Sequence, residues 1–295
     1  MKAGFVALLG RPNAGKSTLL NRLVGHKLAI VSDKPQTTRT RILGVRHYEA
    51  GQVVFVDTPG VHKPAHRMNV RMVDAAREAV RDVDVIVLVV DASAPAGAGD
   101  RYVLSMLEGV RAPVVLALNK VDIVQKTALL PLIDAYRRLR DFAGIVPISA
   151  VDGTNVEAVE GLVLDLLPEG EPLYPPDFVT DQPERVMVSE IVREQVLRHT
   201  RDELPFLTAV AIERFEEAAG RQPARIYCTI YVERPSQKGI VVGKGGSMIR
   251  DIGTSARQEL ERYLEVPVFL DLHVKVRPAW RDDARALHDV GLDDA

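Results

Sequence analysis

Gly10-Arg11-Pro12-Asn13-Ala14-Gly15-Lys16-Ser17 sets two glycines, a lysine and a hydroxyl at the GxxxxGK[ST] spacing, after one apolar run and before the helix-like stretch Ser17–Val24. That pattern grips a polyphosphate. Successive backbone N–H groups and a helix N-terminus surround phosphate oxygens, and glycines remove the side chains that would block close approach. Lys16 would place a point charge on the β- and γ-phosphates. The Ser17 hydroxyl would ligate Mg²⁺, and Thr18 would follow in the first helical turn.

A phosphate loop does not choose a base, but Asn119-Lys120-Val121-Asp122 can. A carboxylate at Asp122 would accept from the N1–H and 2-amino edge of guanine, whereas adenine would leave it unpaired at a steep cost in affinity. Ser149-Ala150 follows the next apolar run and would offer a backbone N–H to guanine O6. Asp57-Thr58-Pro59-Gly60 ends another run; there Asp57 would hold Mg²⁺ through water, and the Gly60 N–H would reach the γ-phosphate. In Gln36-Thr37-Thr38-Arg39-Thr40, a threonine would bind Mg²⁺ while the γ-phosphate is present and let go after hydrolysis. Thr38 is the expected one, with Thr37 the alternative.

The order of these five segments resembles the GTPase superfamily, in its branch of bacterial translation-associated GTPases. Many members place a glutamine after Asp-x-x-Gly to orient the attacking water. Val61 stands there and can neither donate nor accept, so intrinsic hydrolysis should be slow; neighbouring His62 reads as an exposed histidine. The resemblance implies that Asn13 helps bind a monovalent cation, K⁺, in the place where an arginine finger would supply charge.

The elements that must position these residues alternate. Apolar runs at Phe5–Leu9, Val53–Val56, Val83–Val90, Pro113–Leu118 and Ile145–Ile148 are interleaved with helical-period stretches such as Met68–Val80 and Asn155–Leu167. Near-continuous apolar strands between helices predict an α/β domain with a mostly parallel sheet covered on both faces. Ile42–Glu49 and Val53–Val56, joined by Ala50-Gly51-Gln52, predict an antiparallel hairpin at the sheet edge. Residues 168–176 then hold four prolines and a glycine, a composition expected of a semi-rigid linker. The expected division is a G domain over 1–168, a linker over 169–180, a second domain over 181–277 and a tail over 278–295.

In that second domain a helix near Glu184–Arg201 precedes strands at Leu207–Phe215 and Arg225–Glu233, a helix after Gly246, and a strand at Val266–Val276. Gly243-Lys244-Gly245-Gly246 forms a GxxG loop after the apolar turn Ile240-Val241-Val242. The α-β-β-α-β order around it resembles the bacterial-type KH fold, whose loop lets a single-stranded backbone approach closely. Residues 181–295 carry 17 Lys and Arg against 20 Asp and Glu, so the domain as a whole is not basic. The positive field is local: Arg234, Lys238, Lys244 and Arg250 share residues 234–250 with no acid. Lys238, Gly239, Ile240, the four loop residues and Arg250 are the expected RNA contacts. Trp280 could stack on a base or cap a helix.

At 295 residues two domains are expected, and a net charge of −2 points to no polyanionic partner for the whole molecule. A single cysteine, Cys228, rules out an internal disulfide framework and reads as a small buried hydrophobe. No run of about 18 apolar residues is present, and the N-terminus runs directly into a strand with no room for a signal peptide.

Gln36–Ile42, Asp57–His62 and Ser236–Gly253 together resemble a family of bacterial ribosome-assembly GTPases that carry a KH domain behind the G domain. That resemblance implies a monomer using GTP, GDP and Mg²⁺, bound to 16S ribosomal RNA near its 3′ end and acting in 30S-subunit maturation. It also implies a cytoplasmic protein partly peripheral at the inner face of the cell membrane. A GTPase whose KH-like domain docks a protein is the alternative. A tRNA-modifying GTPase would need a further catalytic domain, for which the chain has no room.

Overall fold

The computed structural model describes residues 1–32, 34, 37–61, 67–200, 204–220 and 222–290. His62 and Gln36 lie outside them.

Contacts divide the chain into two units, one of Met1–Ala29, Gln36–Ala65 and Asn69–Asp181, the other of Ile30–Pro35, His66–Met68 and Gln182–Ala295. In the first, β1 (Lys2–Leu9), α1 (Lys16–Val24), β2 (Ile42–Tyr48), β3 (Gly51–Asp57), α2 (Arg67–Ala79), β4 (Val85–Asp91), α3 (Ala98–Ser105), β5 (Val114–Asn119), α4 (Lys126–Arg137), β6 (Gly144–Pro147) and α5 (Val156–Leu166) follow in order. The sheet runs β2-β3-β1-β4-β5-β6, and only β2 pairs antiparallel, at one edge.

The continuous apolar runs follow from this burial. Val6, Leu8, Val85, Val87 and Val89 pack into one core layer with α1 and α5, while Ala7, Leu9, Ile86, Leu88 and Val90 pack into another with α2, α3 and α4. A strand covered on both faces has no solvent side to make polar. The loops after β1, β3, β5 and β6 therefore gather at the carboxyl edge of the sheet, where open α/β folds bind ligands.

Residues 169–180 are not a free spacer. The buried Gln52 accepts from Leu173 N–H and Tyr174 N–H at 2.7 and 3.0 Å and donates to Tyr174 O at 2.8 Å. Val45 N–H donates to Val179 O at 2.8 Å, and Thr180 Oγ1 to Leu43 O at 2.6 Å. Tyr174 stacks on Phe178 against Leu43, Val45 and Val54. Proline blocks helix and sheet-interior pairing but leaves carbonyls free, so the segment straps the open edge of β2, which would otherwise expose unpaired backbone.

The second unit contains α6 (Glu184–His199), α7 (Leu204–Leu207), β7 (Ala209–Glu216), β8 (Ala224–Val232), α8 (Pro235–Val242), α9 (Ser247–Leu264), β9 (Val268–Val276) and α10 (Ala284–Asp289). Its sheet runs β7-β8-β9, antiparallel then parallel. Ile240-Val241-Val242, expected as a turn, closes the helix α8. Pro235 pre-sets the backbone at the helix start, and Gln237 Oε1 accepts from Glu233 and Arg234 N–H at 2.9 Å each, a capping arrangement.

Residues 278–290 are packed rather than trailing. Trp280 is 1% exposed and donates to Leu207 O at 3.0 Å, so it is a structural anchor and not a stacking surface. Arg281 pairs with both oxygens of Glu233. Cys228 is buried in β8, and burial pushes its thiol up to about 12, which makes it inert as a nucleophile.

Candidate nucleotide site and RNA-binding loop

Two left-handed non-glycine backbones shape the nucleotide loops, at Asn13 (φ 61°) and Lys120 (φ 71°); strained residues of this kind concentrate at functional sites. Gly15 (φ 95°) opens α1, and a Cβ there would lie 2.1 Å from Asn119 Nδ2. Asn119 uses that closeness. Its Nδ2 donates to Ala14 O at 2.8 Å while its Oδ1 accepts from Ala150 N–H at 2.9 Å, tying the phosphate loop, the Asn119–Asp122 segment and Ser149-Ala150 into one framework. Lys120 Nζ pairs with Asp91 Oδ2 at 2.6 Å. Burial pushes the Asp91 carboxyl up, but hydrogen bonds from Lys120 and Ser93 outweigh it and hold the group below its ordinary range. Asp122 is exposed on the turn beyond.

Lys16 is 5% exposed, and its Nζ donates to Gly10 O and Arg11 O at 3.2 and 3.1 Å, folding the loop around the ammonium. Burial lowers its pKa, with Asp57 opposing. Asp57 is fully buried and raised by that burial, against the pull of Lys16 and hydrogen bonds from Ser17 and Thr38. Arg11 points away, to Asp100 Oδ2 at 3.2 Å.

The three expected metal ligands converge. Ser17 Oγ lies 2.6 Å from Thr38 Oγ1 and donates to Asp57 Oδ2 at 2.8 Å, and Thr38 Oγ1 is 3.3 Å from the same oxygen. Asp57 Oδ1 is buried without a hydrogen-bond partner. Hard oxygen donors around an unsatisfied carboxylate oxygen fit Mg²⁺. Thr38, 7% exposed, joins this cluster, while Thr37 is half-buried. Thr58 Oγ1 donates to Leu8 O at 2.8 Å, fixing the turn that leads through Pro59 to Gly60. A Cβ at Gly60 would lie 2.7 Å from Pro12 Cα, so only glycine lets this segment close on the phosphate loop. Val61 is 1% exposed in the core, and its N–H donates to Gly10 O at 3.2 Å. Thr18, Pro12 and Asn13 are half-buried along the same rim.

In the second unit, Gly243, Gly245 and Gly246 all take left-handed backbones, φ 73°, 60° and 77°, between α8 and α9. A Cβ at Gly245 or Gly246 would meet nothing within 4 Å. Lys238, Gly239, Lys244 and Arg250 are exposed, and Ile240 is 52% exposed, a large value for isoleucine. The arrangement is an open glycine turn beside an apolar side chain and three cations, suited to a ribose-phosphate backbone with its bases on an apolar groove.

Asp91, Asp100 and Gln52 take part in positioning without belonging to any motif. Asp91 ends a strand, which is a weak signal; Gln52 shows none, because the backbone groups it binds at Leu173 and Tyr174 lie more than a hundred residues away.

A family model described as 50S ribosome-binding GTPase matches residues 5–120, and one described as KH domain matches residues 203–281. GTPase Era of Geobacter metallireducens is 47% identical, covering 98% of this chain and 97% of its own length. GTPase Era of Heliobacterium modesticaldum is 44% identical, covering 100% and 98%. A crystal structure of an Aquifex aeolicus Era variant bound to GDP and AlF₄⁻ is 39% identical with a TM-score of 0.93, covering 99% of this chain and all of its own. One of Era with MgGDPNP and nucleotides 1506–1542 of 16S ribosomal RNA, also 39% identical, has a TM-score of 0.95 and covers 99% of each. The matches cover both units from end to end: the chain belongs to the GTPase Era family.

Proposed function

We propose that this GTPase binds 16S ribosomal RNA near its 3′ end through the Gly243–Gly246 loop and acts as a GTP-dependent switch in 30S-subunit maturation. The observation that carries the reading is the joint presence in one chain of the Ser17–Thr38–Asp57 cluster and the open glycine loop flanked by Lys238, Lys244 and Arg250. An Era relative has been seen with both MgGDPNP and a 16S fragment. The family model's 50S description covers the G domain alone, so the small-subunit reading rests on the RNA-binding half.

On this reading Gly10–Ser17 cradles the polyphosphate, with Lys16 exchanging its two carbonyl partners for β- and γ-phosphate oxygens. Ser17, Thr38 and Asp57 would hold Mg²⁺, which neutralises charge on the phosphates during transfer. Asp122 accepts from the guanine edge, and the Ser149-Ala150 loop faces O6. Gly60 N–H meets the γ-phosphate. Val61, buried, holds no water, so the chain itself supplies little beyond positioning, and turnover is slow. Asn13 is the residue for K⁺: turnover should rise when K⁺ replaces Na⁺, and equal rates would remove that role.

We infer that the γ-phosphate, by ordering the segment carrying Thr38, changes affinity for RNA. That segment starts within the second unit, where Ile30 joins the core and Val31 N–H donates to Glu194 Oε1 at 3.0 Å. Affinity for a 16S 3′-end oligonucleotide should differ between GDP and a non-hydrolysable GTP analogue. Equal affinities would break the switch, and no binding in either state would favour a protein-docking KH domain. By analogy with the family we further propose a cytoplasmic monomer, partly peripheral at the inner membrane face. No helix among the described residues is long and apolar enough to cross a membrane; recovery only in the soluble fraction after lysis would remove the peripheral component.

A further inference from the structure

The loop that faces the base is held from behind by a residue outside every motif. Arg22 stands in the last turn of α1. Its Nε donates to Ala150 O at 2.7 Å and its Nη2 to Val151 O. The loop returns past the same guanidinium at Gly153 (φ 93°), where a Cβ would lie 2.9 Å from Arg22 Nη1. Both acceptors are consecutive backbone carbonyls, so one rigid planar fork fixes two adjoining peptide planes.

A trans peptide points its C=O and the following N–H in opposite directions. Drawing the Ala150 carbonyl toward Arg22 turns the Val151 N–H away from it. On the other side of the loop, Ala150 N–H meets Asn119 Oδ1 at 2.9 Å, and Asp152 N–H meets Ser149 Oγ at 3.2 Å. The loop is thus gripped on two sides, by Asn119 at the amide and by Arg22 at the carbonyls. The helix carrying Arg22 begins at Lys16 and Ser17, so the element that presents the phosphate grip also anchors the base loop.

We propose that Arg22 is a positioning residue for guanine recognition: with Ala150 N–H taken by Asn119 Oδ1, it aims the Val151 N–H at guanine O6 and sets its distance from the phosphate loop. This rests on the reading that the Ser149-Ala150 loop faces O6. Arg22 touches no reacting atom, and its removal costs base affinity rather than chemistry.

The test is a cycle between a protein change and a ligand atom, run on the full chain with Mg²⁺. Calorimetric affinities for GDP and 6-thio-GDP are measured with the parent, Arg22→Ala and Arg22→Lys. Sulfur at position 6 is a poor acceptor, so a misaimed donor has little left to lose there. Arg22→Ala should weaken GDP about tenfold but 6-thio-GDP less than about threefold, with kcat for GTP at saturation within about twofold of the parent. Arg22→Lys, which keeps a cation but lacks the fork, should recover part of the GDP loss and none of the two-carbonyl geometry. Equal loss for both ligands would make Arg22 a mere support of the fold and overturn the proposal, as would an unchanged GDP affinity. If Arg22→Ala does not fold, Arg22→Lys carries the same cycle. A parent chain that bound GDP and 6-thio-GDP alike would instead remove the O6 reading on which the proposal stands.

Discussion

The nucleotide loop and the tip of the Gly243–Gly246 loop use glycine differently. In the nucleotide loop the protein itself fills the space a side chain would need: a Cβ at Gly15 would lie 2.1 Å from Asn119 Nδ2, and one at Gly60 would lie 2.7 Å from Pro12 Cα. In the Gly243–Gly246 loop the space beyond Gly245 and Gly246 is empty to 4 Å, and glycine is needed for the left-handed backbone and for the approach of something else. One site is a finished mould with bonded walls. The other is open at its tip, Gly245 and Gly246, and packed only at Gly243, where a Cβ would lie 2.7 Å from Met248 Cβ.

That contrast is broken most readily at Gly15. Gly15→Ala adds a Cβ at φ 95° into the Asn119 amide that joins three loops. Guanine-nucleotide affinity should fall by about 10²-fold or more, and the apo chain should lose about 2–4 kcal/mol in denaturant unfolding, from strain plus a displaced buried amide. Gly245→Asp, at φ 60° with open space beyond, should cost the fold only about 1 kcal/mol. Affinity for the 16S 3′-end oligonucleotide should nonetheless drop about 30-fold, because a carboxylate meets the phosphates, while GTP turnover without RNA is unchanged. If Gly15→Ala proved silent, or Gly245→Asp disabled GTP turnover, the distinction between packed and open glycines would be wrong.

The same contrast explains how far the sequence could be read. The buried strands were legible because burial on both faces leaves runs such as Val85–Val90 no choice but to be apolar. The site loops were legible because each bonds locally or carries a fixed chemical task. Thr37 and Thr38 carry the same hydroxyl, so side-chain chemistry does not separate them; the convergence of Ser17, Thr38 and Asp57 supplies the geometry for Thr38. What escaped was long-range and backbone-directed. Gln52 and Arg22 bind carbonyls and N–H groups, which every residue owns, so no partner residue type marks them. Residues 169–180 read as a spacer because prolines signal what a segment cannot form, not the strand edge it will cover. α8 read as a turn because its eight residues carry the apolar run Ile240–Val242 but little amphipathic period.

A smaller effect separates the sites by how they hold charge. Lys238 and Lys244 are exposed around an open loop, whereas Lys16 is buried within its own loop. Lys238→Ala and Lys244→Ala should each weaken RNA only a few-fold at moderate salt and each lower the slope of log affinity against log salt by about 0.7, the single-strand value per phosphate contact. Melting temperature should not move. A slope left intact in both variants would mean that these cations do not meet phosphates.

The mildest perturbation tests whether the base side is bonded before any nucleotide arrives. Lys120 and Asp91 lie 2.6 Å apart with about 30% of each side chain exposed, so Asp91→Asn should cost the apo chain only about 0.5–1 kcal/mol near neutral pH. Asp91 is held below its ordinary value of 3.8, so its contribution is fully present above that value and drains away as pH falls through the lower folded one. The stability gap between parent and Asp91→Asn in denaturant unfolding should stay constant from pH 7 to about 5 and narrow only below about 4. Lys244→Ala should open no such gap at any pH, since Lys244 is exposed and pairs with no carboxylate among the described residues. A gap that widened on acidification would mean that Asp91 titrates from above its ordinary value. The Lys120 bridge would then belong to the nucleotide-bound protein alone.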